Sequence, residues 1–446
     1  MNNPNLLTAM EVREILEQGV ITSQELVEAC FERIDELEAS IGAWAHLDRE
    51  LALQQARQAD EFRRRGLPLG PLHGIPVGIK DIIDTNDYPT ERGSVIYQGR
   101  TPSKDATLVA LLREAGAIIL GKTVTTELAV YAPGKTRNPH NTAHTPGGSS
   151  SGSAAAVAAG MVALAVGTQT NGSVIRPASY CGVYAYKPSF GRISRHGVLT
   201  QSEPLDTIGV FARSLADLAL LGDTLIRYDS RDPAMKPVAA PCLAQLMAEP
   251  VPLDPHFAFV RTPMWEQVEA TSKDGCRELI DSVNEKSSKT IELIDLPTPF
   301  KDVYKDHQNV MEADLARNFA QEYHDGKSQL SSVLCEMIER GQQVLATEYN
   351  SSLARIEEYN EYLEEIFDEY EAILTPSTFG PAPAGLDSTG SPLMNTIWTF
   401  CGNPAINLPL LQSIEGLPVG VQIVAGRGDD ARLFRTTRWL LECLND

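Results

Sequence analysis

The chain has 446 residues, 43% of them hydrophobic and 22% charged, and its 38 basic and 59 acidic side chains leave a formal net charge of −21. That composition belongs to a globular protein, not a disordered one, and the acidic balance argues against nucleic acid or an anionic membrane as partner, because both reward a basic face. No run of about 18 apolar residues exists to span a bilayer, and seven scattered cysteines without close pairs fit reduced cytoplasmic thiols better than a CxxC metal site or a disulfide framework.

The N-terminus carries no basic segment followed by an apolar core, so a cytoplasmic location is expected. Thr8 with Glu11, and Thr22 with Glu25, have capping-box spacing ahead of apolar periodicity, with Gly19 between them where a helix would stop. Residues 1–69 therefore read as helices. Beyond "EFRRRG" the text changes to short β-branched runs, "GIPVGIKDIIDT" and "GAIILGKT", separated by the helical "DATLVALLREAG". Strand, helix, strand is the mark of an α/β sheet. Small residues of high helix propensity fill "GGSSSGSAAAVAAGMVALAV" from Gly147 to Val166, which reads as a turn and a buried helix. Residues 227–371 read as a variable, largely helical insertion with strands at "HFAFVRTP" and "TIELIDLP"; its acidic "IEEYNEYLEEIFDEYE" is a solvated helix face. From 372 to 446, "AILTPSTFG", "GNPAINLPL" and "LPVGVQIVAG" return to strand text, closed by a helix from about Asp429. No linker divides the chain, so a single domain over 1–446 is expected, with its core in 70–215.

Two motif matches fail on context. "GAIILGKT" (Gly116–Thr123) fits the phosphate-binding P-loop pattern, but the residues between its glycines are those of a strand. "GSSSG" (Gly148–Gly152) fits the nucleophile elbow with Ser150 at its centre, but "NTAHTPGG" precedes it where a hydrophobic strand is required.

Three polar elements are harder to explain as packing: Lys80 at the end of "IPVGIK", the serines Ser149, Ser150, Ser151 and Ser153, and Ser173 in "GTQTNGSVIRPASYCG". Amide hydrolysis needs an activated nucleophile, donors for the oxyanion and a proton for the leaving nitrogen. A lysine kept neutral by burial can replace histidine as the base, and successive N–H groups of a glycine-containing loop can hold an anion.

The motifs Gly74–Asp81, Pro146–Gly160 and Gly167–Ser189, in this order, resemble those of the amidase signature family, most closely over residues 70–215. The resemblance implies an α/β fold with a central twisted mixed β-sheet covered by helices on both faces. It implies catalytic Lys80, Ser149 held after a cis peptide bond, and nucleophile Ser173, with an oxyanion hole from Thr170, Asn171, Gly172 and Ser173. Gly147, Gly148, Tyr131, Gln169 and Arg176 are then candidate substrate-binding residues. It further implies a small-molecule amide or carbamate as substrate, no cofactor or metal, and a homodimer. The runner-up readings are a catalytically dead binding protein on the same fold and a glutamine-hydrolysing amidotransferase of the A type.

This sequence departs from the family pattern in three places. Asn171 stands where a glycine is usual, and asparagine is the next most tolerant residue of positive φ. Gln169 replaces an aspartate, which removes an attractive partner of a lysine cation. Arg176 is displaced by one residue; in an extended segment that would aim it at the opposite face, so it is expected to point into the pocket and favour an acyl group bearing a carboxylate or another acceptor, the alternative being a structural ion pair beneath the loop.

Overall fold

The computed structural model describes residues 3–445; Met1, Asn2 and Asp446, part of the expected 1–446 span, lie outside the described residues. Both capping boxes form: Thr8 starts the helix Ala9–Glu17 and Thr22 the helix Ser23–Ile41, each with its reciprocal glutamate bond. The strands are β1 (Trp44–Leu47), β2 (Pro76–Lys80), β3 (Ile118–Thr123), β4 (Leu164–Gln169), β5 (Tyr184–Lys187), β6 (Thr207–Ala212), β7 (Phe257–Arg261), β8 (Glu292–Asp295), β9 (Ala372–Pro376), β10 (Ala405–Gln412) and β11 (Pro418–Val424). They form one mixed sheet in the order β1-β3-β2-β4-β6-β5-β10-β11-β9-β7-β8. β2 runs parallel to both β3 and β4, whereas β4, β6, β5, β10 and β11 are successively antiparallel.

Helices cover both faces because the central strands bury both of theirs. In β4, Leu164 and Val166 join one apolar cluster with the helices Thr107–Glu114 and Leu215–Leu225. Ala165 between them joins another with the helix Ser151–Ala158. The small residues of that helix are explained by close approach: a Cβ on Gly152 would stand 2.2 Å from Ala43 O and 2.3 Å from Val124 N. The helix ends earlier than its composition suggests. Gly160 turns the chain at φ +70°, and Leu164–Val166, expected as helix, belongs to β4. β1 was not anticipated within the N-terminal helices; it pairs antiparallel with β3.

The 227–371 segment supplies β7 and β8 at one edge of the sheet and the helices Val303–Asn318, Ser332–Gly341 and Ala346–Glu369. Those helices share an apolar cluster with Val260, Ile373 and Val424. "GAIILGKT" is indeed a strand, β3, with Lys122 inside it. Because β2 and β4 are parallel neighbours, their carboxyl ends open at the same edge, the usual place for a site in such sheets.

Candidate active site

Lys80, the last residue of β2, has no solvent exposure, and its Nζ is hydrogen-bonded to Ser149 Oγ at 2.7 Å and Thr168 Oγ1 at 2.8 Å. Burial holds its pKa well below the usual lysine value. The Asp206 carboxylate opposes that shift and the Arg176 cation reinforces it. The shift favours the neutral form of an amine set between two hydroxyls.

Ser149 follows a cis Gly148–Ser149 peptide bond, and its carbonyl accepts from Thr126 N. The neighbouring serines have other partners. Ser150 Oγ bridges the N–H and the carbonyl of Thr168, both at 3.2 Å, while Ser150 N donates to Ser173 O at 3.4 Å. Ser151 donates to Val124 O, and Ser153 donates to Val166 O and meets Thr123 Oγ1. These three serines fasten the helix to the strands and bring the Ser149 and Ser173 backbones together.

Ser173 lies in the turn between β4 and the helix Ile175–Cys181. Gln169 shapes the turn: its Oε1 accepts from Val174 N at 2.7 Å and Ile175 N at 3.0 Å, and its Nε2 donates to Thr399 Oγ1 at 2.9 Å. The carbonyls of the turn are held from outside, Thr170 O by His307 Nε2, Asn171 O by Thr399 Oγ1 and Gly172 O by Arg176 N. Its N–H groups are not. Among the described residues, none of the N–H groups of Thr170, Asn171, Gly172 and Ser173 donates to a protein acceptor. Four successive free donors in a bent loop form a concave site for an anion. Neither Asn171 nor Gly172 adopts positive φ, so the conformational tolerance expected of Asn171 is not what it supplies. Gly172 is needed for space, since a Cβ there would stand 2.5 Å from Asn395 Oδ1. No hydrogen bond joins Ser173 Oγ to Ser149 Oγ among the described residues, which leaves the Ser173 hydroxyl free.

Arg176 contradicts the expectation placed on it. Its segment is helical rather than extended, and the side chain is fully buried. Nη2 donates to Gly148 O at 2.7 Å, and Nη1 donates to Thr389 Oγ1 and to the carbonyls of Thr389 and Gly390. The guanidinium clamps the backbone beneath the serine turn through both Nη atoms, and only its Nε, itself buried, is left without a partner. Gln169 likewise faces the turn's own backbone, and Gly147 and Gly148 pack against Pro177 and Thr389. Of the expected substrate-binding residues, Tyr131 alone lines the cavity described next.

A cavity of about 520 Å³ reaches Asn171 and Tyr131, walled by the insertion and the helix Leu393–Phe400. Asn171 Nδ2 donates to Tyr131 OH at 3.0 Å, and Asn171 Oδ1 accepts from Thr396 Oγ1 at 2.7 Å. His307, Thr396 and Thr168 were not singled out from sequence. Thr168 stood inside the quoted "GTQT" motif, but His307 lies in the insertion, where nothing local distinguishes it. No group of three or more metal-ligating side chains is found among the described residues.

The profile of the Amidase family matches residues 25–434. This chain belongs to the amidase family. As an amidase it is a hydrolase of carbon–nitrogen bonds, with the α/β architecture its motifs implied. It is 33% identical to the A-type component of the glutamyl-tRNA(Gln) amidotransferase of Chloroflexus aggregans, over 98% of this chain and 96% of that one. Among solved structures, one described as a vestigial protein complex revealing the origins of an s-triazine catabolic enzyme superposes with a TM-score of 0.91 at 25% identity, covering 98% of both chains. The peptide amidase of Stenotrophomonas maltophilia superposes on this amidase with a TM-score of 0.85 at 26% identity, covering 98% of this chain and 97% of that one. No helix among the described residues is long and apolar enough to cross a membrane.

Proposed function

We propose that this amidase hydrolyses small-molecule amides or carbamates through an acyl-enzyme on Ser173, with Ser149 as proton relay and Lys80 as base. The observation that carries the reading is the set of four free N–H groups ending at a free serine hydroxyl, beside a buried lysine–serine pair. Neutral Lys80 takes the Ser149 proton as Ser149 takes that of Ser173, and Ser173 Oγ attacks the carbonyl carbon. The oxyanion is received by the N–H groups of Thr170, Asn171, Gly172 and Ser173. Ser149 then returns a proton to the nitrogen as the C–N bond breaks. Water, deprotonated by the same relay, cleaves the ester and restores Ser173.

A second reading has support from the 33% identity to an amidotransferase component: glutamine would be the amide and a partner protein would take the ammonia. The surroundings favour the first. Glutamine carries both a carboxylate and an ammonium, and the arginines at hand, Arg176 and Arg340, are already bonded to backbone carbonyls and to Glu312. A panel of anilides, primary amides, aryl carbamates and glutamine, given to wild type and Ser173→Ala, tests both. Hydrolysis of uncharged members by wild type alone is expected. Retained hydrolysis in Ser173→Ala overturns the first reading, and ammonia release faster from glutamine than from any uncharged amide favours the second.

A further inference from the structure

His307 is 3% exposed, sits in the cavity wall and holds the serine turn through a single bond, Nε2 to Thr170 O at 2.9 Å. A carbonyl only accepts, so the proton is on Nε2. Burial pushes the pKa of His307 down to about 4, which keeps the ring neutral at ordinary pH. Nδ1 therefore carries a lone pair, and among the described residues no protein donor satisfies it. The tautomer is assigned by the partner of the other nitrogen.

The rest of the inner wall adds shape without net charge. Met311, Met337 and Leu393 are apolar, and the buried Glu312 is neutralised by Arg340 through Nη2 at 2.6 Å and Nε at 3.1 Å. Lys305 and Glu336, of opposite sign, stand exposed at the rim. A carboxylate placed against this inner wall would be desolvated beside an arginine already paired to Glu312, with Lys305 standing at the exposed rim.

We propose that this cavity is the specificity pocket and selects uncharged substrates bearing an N–H, which His307 Nδ1 accepts. The inference rests on the hydrolase reading and narrows its substrate to neutral secondary amides and N–H carbamates with a short apolar body. An N–H lost by methylation leaves the ring nitrogen buried and unpaired, a penalty that corresponds to about tenfold or more in affinity. His307 is a binding residue through Nδ1 and a positioning residue of the turn through Nε2. The two roles are separable, because glutamine places its amide nitrogen near the Nε2 position and asparagine places its oxygen near the Nδ1 position.

The test measures, by calorimetry, binding of N-butylbutanamide, its N-methyl analogue and N-butylsuccinamate to Ser173→Ala. The secondary amide is expected to bind about tenfold tighter than the N-methyl analogue and tighter than the anionic succinamate. The N–H preference should collapse to within about twofold in Ser173→Ala/His307→Gln and persist in Ser173→Ala/His307→Asn. Equal binding of the two neutral ligands with His307 intact, tighter binding of the succinamate, no binding of the secondary amide at millimolar concentration, or the same preference in both double variants would each overturn the proposal. Hydrolysis of the secondary amide by Ser173→Ala would instead overturn the hydrolase reading, so the two failures are distinguishable.

Discussion

Lys80 is one of three lysines without solvent exposure, the others being Lys122 and Lys187. Burial pushes Lys122 down to about 8 and Lys187 to about 7, so a lowered pKa does not by itself mark a base. The hydrogen-bond partners do. Lys122 donates to the carbonyl of Ile83 and Lys187 to those of Pro188 and Asn403, and a carbonyl has no proton to give. Lys80 alone meets only hydroxyls. On sequence Lys80 stands out at the end of "IPVGIK" and Lys122 only in a refused P-loop match, and it is the resemblance of the surrounding motif that gives Lys80 the role of base. Because the neutral form of Lys80 is the active one, kcat/KM should rise with pH through its lowered pKa and then level. Folding releases a proton from Lys80 wherever the pH lies between its folded pKa and the unfolded value of about 10.4, so stability rises with pH across that window. Lys80→Met should lose about 10²–10⁴-fold in kcat, unfold at a temperature equal to or above wild type near neutral pH, and show a smaller rise of Tm with pH. Melting curves and pH–rate profiles of the two proteins check this, and full activity in Lys80→Met would count against the base.

At the scale of elements, the turn between β4 and the helix Ile175–Cys181 was legible as a motif but not as a shape. Its glycine and asparagine suggested left-handed backbone, yet the bend comes from Gln169, whose carboxamide ties the first helical N–H groups, and from partners remote in sequence, His307 and Thr399. Gln169→Glu keeps the oxygen that accepts from Val174 N and Ile175 N, removes the Nε2 donor to Thr399 Oγ1 and adds a charge. The attraction between that carboxylate and the Lys80 cation should raise the Lys80 pKa, moving the acid limb of kcat/KM to higher pH; an unmoved limb would show that the carboxamide has no electrostatic role. Arg176 was misread for a related reason: periodicity told which face of a strand it would occupy, but the segment is helical and Gly148, Thr389 and Gly390 claim the guanidinium. Arg176→Lys cannot span Gly148 O and Thr389 together, so it should lose about 2–4 kcal/mol of stability. It should also lower kcat/KM by the same factor for acidic and neutral acyl substrates. A loss confined to acidic substrates would restore the carboxylate-binding role.

Across the whole molecule, the proposed site draws on β2, the turn before the helix Ser151–Ala158, the end of β4, the insertion helix Val303–Asn318 and the helix Leu393–Phe400. The sequence carried β2, β3 and β7 to β11, because β-branched runs between glycines and prolines announce themselves, but not β1, β4, β5 or β6. It carried the cavity poorly. The insertion was expected to be helical, but which of its faces meets the serine turn depends on packing between segments more than a hundred residues apart, and no local pattern encodes that. The central claim is that these segments converge to make Ser173 a nucleophile. Its most direct test is rapid quench of the enzyme with a slowly deacylating aryl carbamate, followed by intact mass and peptide mapping. One carbamoyl group on Ser173, formed with release of the phenol and absent from Ser173→Ala, is the predicted result; an adduct on Ser149 or Ser150, or undiminished turnover in Ser173→Ala, would contradict it.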